Sequence, residues 1–162
     1  MTSPVYDPRF VEALLASHAT LLRESLVPAH VRAAEACAWL YEHAPFAVLA
    51  HDTQADPHFV YANLHAQRCF ERPWHEFVGM PSRLSAEAPD RAERAAALAQ
   101  VAECGFTRDY HGVRVARSGR RFRIEDCALW NVRDASGARI GQAATFRRTS
   151  PVGAPSIDPP RQ

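Results

Sequence analysis

Two helical patterns open the chain. Over residues 8–26 apolar side chains such as Phe10, Leu14 and Leu21 recur every three or four positions, which predicts an amphipathic helix with Asp7 as its N-cap. Pro28 interrupts this pattern, because proline is poorly tolerated inside a helix. An alanine-rich stretch over residues 31–42 then predicts a second helix.

Short apolar runs replace the helical pattern from residue 46 onward. Residues 46–50 and 58–61 are two such runs separated by a polar turn, which predicts a β-hairpin. The next predicted elements are two short helices and a loop, over residues 62–70, 73–78 and 79–88. The most regular pattern follows over residues 90–103, where we expect a helix with Asp90 as its N-cap and Gly105 beyond its end.

Three longer β patterns close the ordered part of the chain. They cover residues 106–117, 121–132 and 139–147, and glycines in the turns supply the positive φ that hairpins need. The element order predicts an α+β fold with a five-stranded antiparallel sheet, short helices on one face and two N-terminal helices. We therefore predict an N-terminal helical segment over 1–43, a core domain over 44–148 and a disordered, Pro-rich tail over 149–162.

Composition fits one globular domain. The 162 residues are 47% hydrophobic, and Lys+Arg 19 against Asp+Glu 18 leaves a net charge of +1, so nothing indicates a nucleic-acid partner. All the basic residues are arginine, as is typical of a GC-rich bacterial genome. The first ten residues lack the apolar core of a secretory signal, and no apolar run approaches the ~20 residues of a membrane span. We expect a cytoplasmic protein without a membrane partner.

Cysteine and histidine spacing predicts no metal site. The four cysteines contain no C-x-x-C pair and are interpreted as small buried apolar residues. His43, His51, His58 and His65 cross several predicted elements, and their spacing matches no standard metal motif. His51 lies at a turn, where a metal-ligand or general-base role is open.

Polar residues on the predicted inner face of the sheet need partners. Alternation predicts one shared face for Phe122, Ile124, Asp126, Ala128 and Trp130, and another for Ile140, Gln142, Ala144 and Phe146. Asp126 and Gln142 either satisfy each other or the backbone, or they hold a ligand. A bulge near Gly112 would exchange the two faces.

Several arginines could meet at the mouth of a pocket. We expect Arg83, Arg114 and Arg123 near Tyr110 and Glu125, where guanidinium groups would suit an anionic ligand. The alternative is that they are solvated on the surface.

Several short stretches resemble one known family. They are residues 61–63 (YAN), 74–79 (WHEFVG), 81–87 (PSRLSAE), 90–94 (DRAER), 112–122, 130–134 (WNVRD) and 141–144 (GQAA). Together they resemble the MEKHLA branch of the PAS superfamily, which includes stand-alone bacterial proteins. The resemblance implies a pocket between the sheet and the short helices. The residues predicted to contact a ligand there are Tyr61, Asn63, Ser82, Arg83, Tyr110, Arg114, Trp130 and Gln142, and the catalytic candidates are His51 and Asp126.

Within the PAS superfamily the chain is similar to flavin-binding light-oxygen-voltage (LOV) domains. Ser82 stands where the photoreactive cysteine of that class is expected, and Phe146 stands at the position of its flavin-sensing glutamine. The helix predicted over 90–103 contains no histidine that could ligate haem. These departures disfavour flavin photochemistry and haem, and they leave the cofactor unknown.

Two functions follow from this reading. The first is a sensory or regulatory module that binds a small molecule and signals through its N-terminal helices, as a homodimer. The alternative is a small enzyme that uses the same cavity for an anionic or polar substrate, with His51 or Asp126 as acid or base.

Overall fold

The helices and strands fall close to the predicted positions. In the computed structural model, residues 3–152 are described, and they form five α-helices and one antiparallel sheet of six strands. The helices are α1 (Pro8–Leu22), α2 (Ala36–Glu42), α3 (Leu64–Phe70), α4 (Trp74–Phe77) and α5 (Ala88–Cys104). The strands are β1 (Ala47–His51), β2 (Phe59–Ala62), β3 (Phe106–Val115), β4 (Arg121–Arg133), β5 (Arg139–Phe146) and β6 (Arg148–Pro151). Single 3-10 turns lie at Ala33–Glu35 and Ser82–Ser85.

The strand order of the sheet is β2-β1-β5-β4-β3, and β6 pairs with β4 beyond the end of β5. The predicted α+β fold is confirmed, and β6 is an addition to the five predicted strands. Residues 149–151, which were expected to begin the disordered tail, form part of β6 because their backbone pairs with residues 122–124. The rest of that predicted tail, over 153–162, lies outside the described residues.

Helix ends differ in detail from the predicted ones. Asp7 is the N-cap of α1, as predicted, and its Oδ1 accepts a hydrogen bond from the Arg9 N–H at 3.0 Å. The helix ends at Leu22 rather than residue 26, since Arg23 adopts a left-handed conformation with φ 59°. The N-cap of α5 is Glu87, so Asp90 lies within the first turn and its charge favours the helix N-terminus from there.

The sheet is covered on both faces. On one face α1 packs over β4, with Leu14 against a core that includes Val48, Trp130 and Val132. On the other face, helices α3, α4 and α5 cover a second core around Phe70, Phe77, Phe122 and Phe146. A cavity can therefore form on either side of one central layer, and each strand carries alternate side chains toward the two cores.

Two bulges between β3 and β4 decide which face each residue takes. Asp109 and Asp126 have left-handed backbones, with φ 60° and 50°, and each inserts one extra residue into its strand. The predicted common face of β4 is therefore wrong: Phe122 and Ile124 face α3–α5, whereas Trp130 faces α1. Asp126 itself is exposed.

Candidate functional site

A small cavity lies between the sheet and α5. Its volume is about 40 Å³, which is room for a few water molecules. Phenylalanine, leucine and isoleucine side chains form most of the wall. Its polar lining residues are His51, Ser85, Arg94, Arg114 and Gln142. Three of the residues predicted from the sequence thus share one cavity, namely His51, Arg114 and Gln142.

His51 ends β1 with one ring nitrogen free. Its Nδ1 lies 2.8 Å from the Asp52 backbone carbonyl, and because a carbonyl only accepts, Nδ1 carries the hydrogen. Nε2 is buried and has no hydrogen-bond partner within the described part of the chain. Burial lowers the pKa of His51, so the ring is neutral at pH 7 with Nε2 as a bare acceptor.

Gln142 pairs with an asparagine that the sequence reading did not single out. Its Nε2 donates to the Leu98 carbonyl at 2.9 Å and to Asn131 Oδ1 at 3.1 Å. Asn131 Nδ2 in turn donates to the Val101 carbonyl at 3.1 Å. The two amides dock α5 onto β4 and β5, so the nitrogen of Gln142 is satisfied by protein groups while its side chain still lines the cavity.

Two buried arginines face the cavity from opposite walls. Arg94, on α5, is 8% exposed, and Arg114, on β3, is 7% exposed. Arg114 donates to the Val113 carbonyl at 3.0 Å and to the Tyr110 hydroxyl at 3.2 Å. Burial, together with the charge of Arg114, lowers the pKa of Arg94 to about 10. Arg94 is therefore still a cation at neutral pH.

Arg94 was missed as a site residue, although its spacing carried a signal. Arg94, Ala97, Leu98 and Val101 follow the i, i+3, i+4, i+7 pattern of one helix face, and the other three are apolar. An arginine on the buried face of an amphipathic helix is unusual, since charged residues are almost never fully buried without a partner. The spacing thus placed this cation toward the sheet.

Asn63 has a structural role here. It is the N-cap of α3, where its Oδ1 accepts from the Ala66 N–H at 3.0 Å and from the Val48 N–H at 3.0 Å. Its Nδ2 donates to the carbonyls of Leu40 at 3.1 Å and Phe46 at 2.9 Å. Every polar atom of this fully buried side chain has a partner, so it ties α2, β1 and α3 together.

Tyr61 and Trp130 lie under α1, on the face opposite the cavity. Trp130 is fully buried, and its Nε1 donates to the Leu14 carbonyl at 3.2 Å. Tyr61 packs edge-on against Tyr6, Tyr41 and Trp74. Its hydroxyl is buried without a partner in the described residues, and burial raises its pKa. Neither side chain lines the cavity.

The remaining predicted residues are spread over several surroundings. Arg83 is half-exposed and pairs with Asp56 at 3.2 Å, so it does not join Arg114. Asp126 is exposed and pairs with Arg148, which removes it from any role in the cavity. Ser82 is fully buried in a 3-10 turn, outside the cavity wall, and its Oγ has no partner among residues 3–152. Tyr110 supports Arg114 through its hydroxyl.

Arginine and glutamate at the predicted pocket mouth are dispersed as well. Arg123 is exposed on β4, and Glu125 Oε1 accepts from the Ser150 hydroxyl at 3.1 Å.

The cysteines differ in burial. Cys127 is buried, which raises its pKa to about 12, whereas Cys104 is exposed, against the expectation that all four are buried. Within residues 3–152 no three metal-ligating side chains converge.

The strand order and the cavity under short helices define a PAS-like fold. A profile of the MEKHLA domain matches residues 8–151, and the chain belongs to this family. The match includes α1 and α2, so it extends N-terminally past the boundary predicted between residues 43 and 44. No curated protein matches the chain.

Solved structures similar to this chain share its fold at low identity. An RNA-binding light-oxygen-voltage receptor is 21% identical, with a TM-score of 0.61, over 79% of this chain and 36% of that one. A PAS domain from Colwellia psychrerythraea is 12% identical, with a TM-score of 0.60, over 71% of this chain and 92% of that one. A light-oxygen-voltage domain studied with a flavin analogue is 15% identical, with a TM-score of 0.54, over 67% of this chain and 78% of that one.

These neighbours correct one prediction. The expectation that flavin photochemistry is disfavoured is wrong, because light-oxygen-voltage domains are among the solved structures with this fold, as is a cysteine-to-serine mutant of Vivid. The polar residues that line the cavity are chemically suited to a flavin. Gln142 and His51 match a polar ring edge, and the two guanidinium groups match a phosphate. In the arrangement seen here, a tricyclic ring requires α5 and the lining side chains to move outward.

No helix in the described part of the chain has both the length and the apolar character needed to cross a bilayer.

Proposed function

We propose that this chain is a sensory module that binds a small molecule in the cavity between the sheet and α5. The observation that carries the proposal is a pair of poorly satisfied polar groups on one small cavity. His51 Nε2 is buried without a partner in the described residues, and Arg94, 8% exposed, takes part in none of the ion pairs of residues 3–152. Unsatisfied buried polar groups cost about 1 to 3 kcal/mol each, and more when charged, so a protein that keeps them gains from a ligand that pairs with them.

β5 offers a direct route from the cavity to the N-terminal helix. Gln142 lines the cavity, while the preceding Gly141 lies so close to α1 that a Cβ there would approach the Phe10 ring to 3.3 Å. The same Cβ would lie 2.5 Å from the His51 carbonyl oxygen, so β1, β5 and α1 are in tight contact at this point. A ligand that displaces Gln142 or His51 would therefore press on α1.

Signalling through a homodimer is part of the proposal. Two large apolar side chains are exposed within residues 3–152, namely Val5 at 52% and Phe106 at 36%. Phe106 lies on β3, the outer strand of the sheet, whose free backbone edge can pair with a second copy. Such a contact would cover Phe106 without contacting the cavity residues of α5.

The proposed setting is the cytoplasm of a bacterium. The four cysteines are free thiols, which suits a reducing compartment.

One observation favours an enzyme as a second candidate. A neutral imidazole with a free Nε2 and two cationic guanidinium groups line the same small cavity. In such a site His51 would act as the base and the arginines would hold an anionic substrate. Asp126 takes no part in this scheme, because it is exposed on another surface.

Native mass spectrometry of the purified protein tests the binding proposal. We expect a mass increment that disappears on denaturation. Ala144→Leu, which fills the cavity, should abolish the increment, whereas Ala128→Leu, on the neighbouring strand and against the α1-side core, should retain it. An empty wild-type protein, or equal increments in both variants, would contradict the proposal.

Two further readouts separate the roles. Light scattering during size exclusion should give twice the mass of the 18.0 kDa chain, and a monomer would contradict the dimer. If the wild type chemically converts the bound molecule on incubation and His51→Gln does not, the result supports the enzyme. If the molecule is recovered unchanged from both proteins, the result supports the sensory module.

A further inference from the structure

A pair of buried arginines is the strongest unexplained feature of the cavity. Arg94 reaches it from α5 and Arg114 from β3, and each is more than nine-tenths buried. Burying a charged side chain is costly unless the charge is paired and hydrogen-bonded. Two like charges on one cavity add mutual repulsion to that cost, as the lowered pKa of Arg94 reflects.

Neither arginine meets an acid in the described part of the chain. The eight ion pairs of residues 3–152 all use other cations. Arg114 donates only to neutral oxygens, the Val113 carbonyl and the Tyr110 hydroxyl. Arg94 has no hydrogen bond to another described residue that would favour its charged form. The positive charge in the cavity is thus uncompensated by these residues.

The absence of a side chain at Gly112 leaves space for the Arg114 guanidinium. A Cβ at Gly112 would lie 3.0 Å from Arg114 Nη1 and 2.9 Å from the Tyr110 hydroxyl. These two side chains fold over the glycine, and Gly112 makes room for both. A side chain at residue 112 would push the guanidinium away from its present position.

The surroundings would strengthen an attraction to an anion. The cavity wall is mostly apolar, and Coulomb interactions are stronger in such a setting than in water. His51 lines the same volume, and once protonated its Nε2 would donate a further hydrogen bond to an anion. Guanidinium groups bind carboxylate and phosphate oxygens through paired N–H donors.

We propose that Arg94 and Arg114 form a clamp for a carboxylate or phosphate group of the sensed molecule. This inference rests on the proposed function, because it names the chemical class of the ligand in the same cavity. The volume of about 40 Å³ admits the anionic group itself, and any larger remainder of the ligand displaces lining side chains.

Thermal unfolding at pH 7 tests the clamp. The probes are inorganic phosphate, succinate, and flavin mononucleotide beside riboflavin, each compared with sodium chloride at the same ionic strength. Phosphate and succinate separate the two anion chemistries, and the flavin pair separates a phosphate from a ring contribution. At ~100-fold excess over its Kd, a binding anion should raise the unfolding midpoint of the wild type by about 5 to 10 °C.

Three variants make the test specific. Arg94→Met and Arg114→Met should each lose most of the midpoint rise, and Arg123→Met, which removes an exposed arginine from the neighbouring strand, should keep it. Each variant is first unfolded without anion, so that a loss of fold is seen separately. No rise with any anion in the wild type overturns the clamp, and so does an equal rise in Arg94→Met and Arg123→Met.

The same proteins distinguish failure of the clamp from failure of the proposed function. A neutral molecule that copurifies with both the wild type and Arg94→Met would support the proposed sensory function and contradict the clamp. An empty protein that responds to no anion overturns both. A copurified anion that is lost in Arg94→Met supports both.

Discussion

The two faces of the sheet treat their buried polar groups differently. Under α1, Trp130 Nε1 donates to the Leu14 carbonyl at 3.2 Å, and the Ser17 hydroxyl accepts from the Arg133 N–H at 2.9 Å. Under α5, the Arg94 charge and His51 Nε2 lack protein partners in the described residues. Within the described residues the α1 face leaves the neutral Tyr61 hydroxyl without a partner, whereas the α5 face leaves a guanidinium charge and a ring nitrogen without one. The kind of group left unpaired therefore distinguishes the structural core from the candidate ligand site.

Tyr61 shows that an unpaired polar atom alone does not mark a binding site. Its hydroxyl is buried on the α1 side without a partner in residues 3–152, although its ring packs against three other aromatic side chains. A neutral hydroxyl costs far less to bury than a guanidinium charge. The charge, rather than the orphaned atom alone, therefore marks the α5 side as the binding face.

The largest expected effect is at Asn63, a buried side chain whose polar atoms all have protein partners. Asn63→Ala removes four buried hydrogen bonds and the N-cap of α3, so the free energy of unfolding should fall by about 3 to 5 kcal/mol in urea denaturation. The anion-dependent rise of the unfolding midpoint should persist in whatever fraction remains folded. A loss below about 1 kcal/mol would contradict the structural role of this side chain.

Trp130→Phe should have the next largest effect. The change removes the hydrogen bond to Leu14 and leaves unfilled volume under α1, which should cost about 2 kcal/mol. Because Trp130 faces away from the cavity, the anion response should equal that of the wild type. A variant of normal stability that no longer responds to anion would place Trp130 in the binding site and break the comparison.

On the α5 side, removal of a polar group should stabilise the ligand-free protein. Arg94→Met keeps much of the side-chain volume and deletes an unpaired buried charge, so the free energy of unfolding should rise by about 1 to 3 kcal/mol. Arg123→Met is the matched surface control and should stay within about 0.5 kcal/mol of wild type. A destabilised Arg94→Met would indicate that the guanidinium is held by the protein itself.

The smallest effect concerns pH. Burial lowers the pKa of His51 on one face and of His18 on the other. The unfolded chain therefore binds more protons, and stability should be constant above about pH 6.5 and fall as the pH drops below it. His51→Gln should remove the share of this acid-dependent stability loss that comes from His51. Phosphate should reduce the same share in the wild type, since an anion in the cavity favours protonated His51. His18→Gln should not alter the phosphate effect; the opposite pattern would contradict the assignment.

Element order could be predicted because its signals are local and strong. The Asp7 cap of α1, the regular pattern of α5 and the three closing strands all follow from spacing in the sequence. The faces of β4 could not be predicted, since one extra residue at Asp126 exchanges them and the period of two does not reveal where a bulge lies.

The candidate site was predicted in part for a similar reason. Gln142 faces the cavity on the same side as Ala144 and Phe146, as alternation indicated, whereas Ile140 packs toward α1 because the pairing of β5 with β4 is irregular between Gly141 and Arg139. Asn63 and Ser82, taken from family-like stretches, lie at a helix cap and in a buried turn, where the fold itself uses them. Arg94 was readable from helical spacing, but only the packed structure shows that it meets Arg114.

The most direct test follows single nitrogen atoms on the two faces during an anion titration. In a ¹H–¹⁵N spectrum of the uniformly labelled protein, the arginine Nε–H signals of Arg94 and Arg114 report on the cavity, and the indole Nε1–H of Trp130 reports on the α1 face. With added phosphate or succinate, our account predicts that the two arginine signals shift first and furthest. Shifts at Trp130 or at exposed arginines, with Arg94 and Arg114 unmoved, would contradict it.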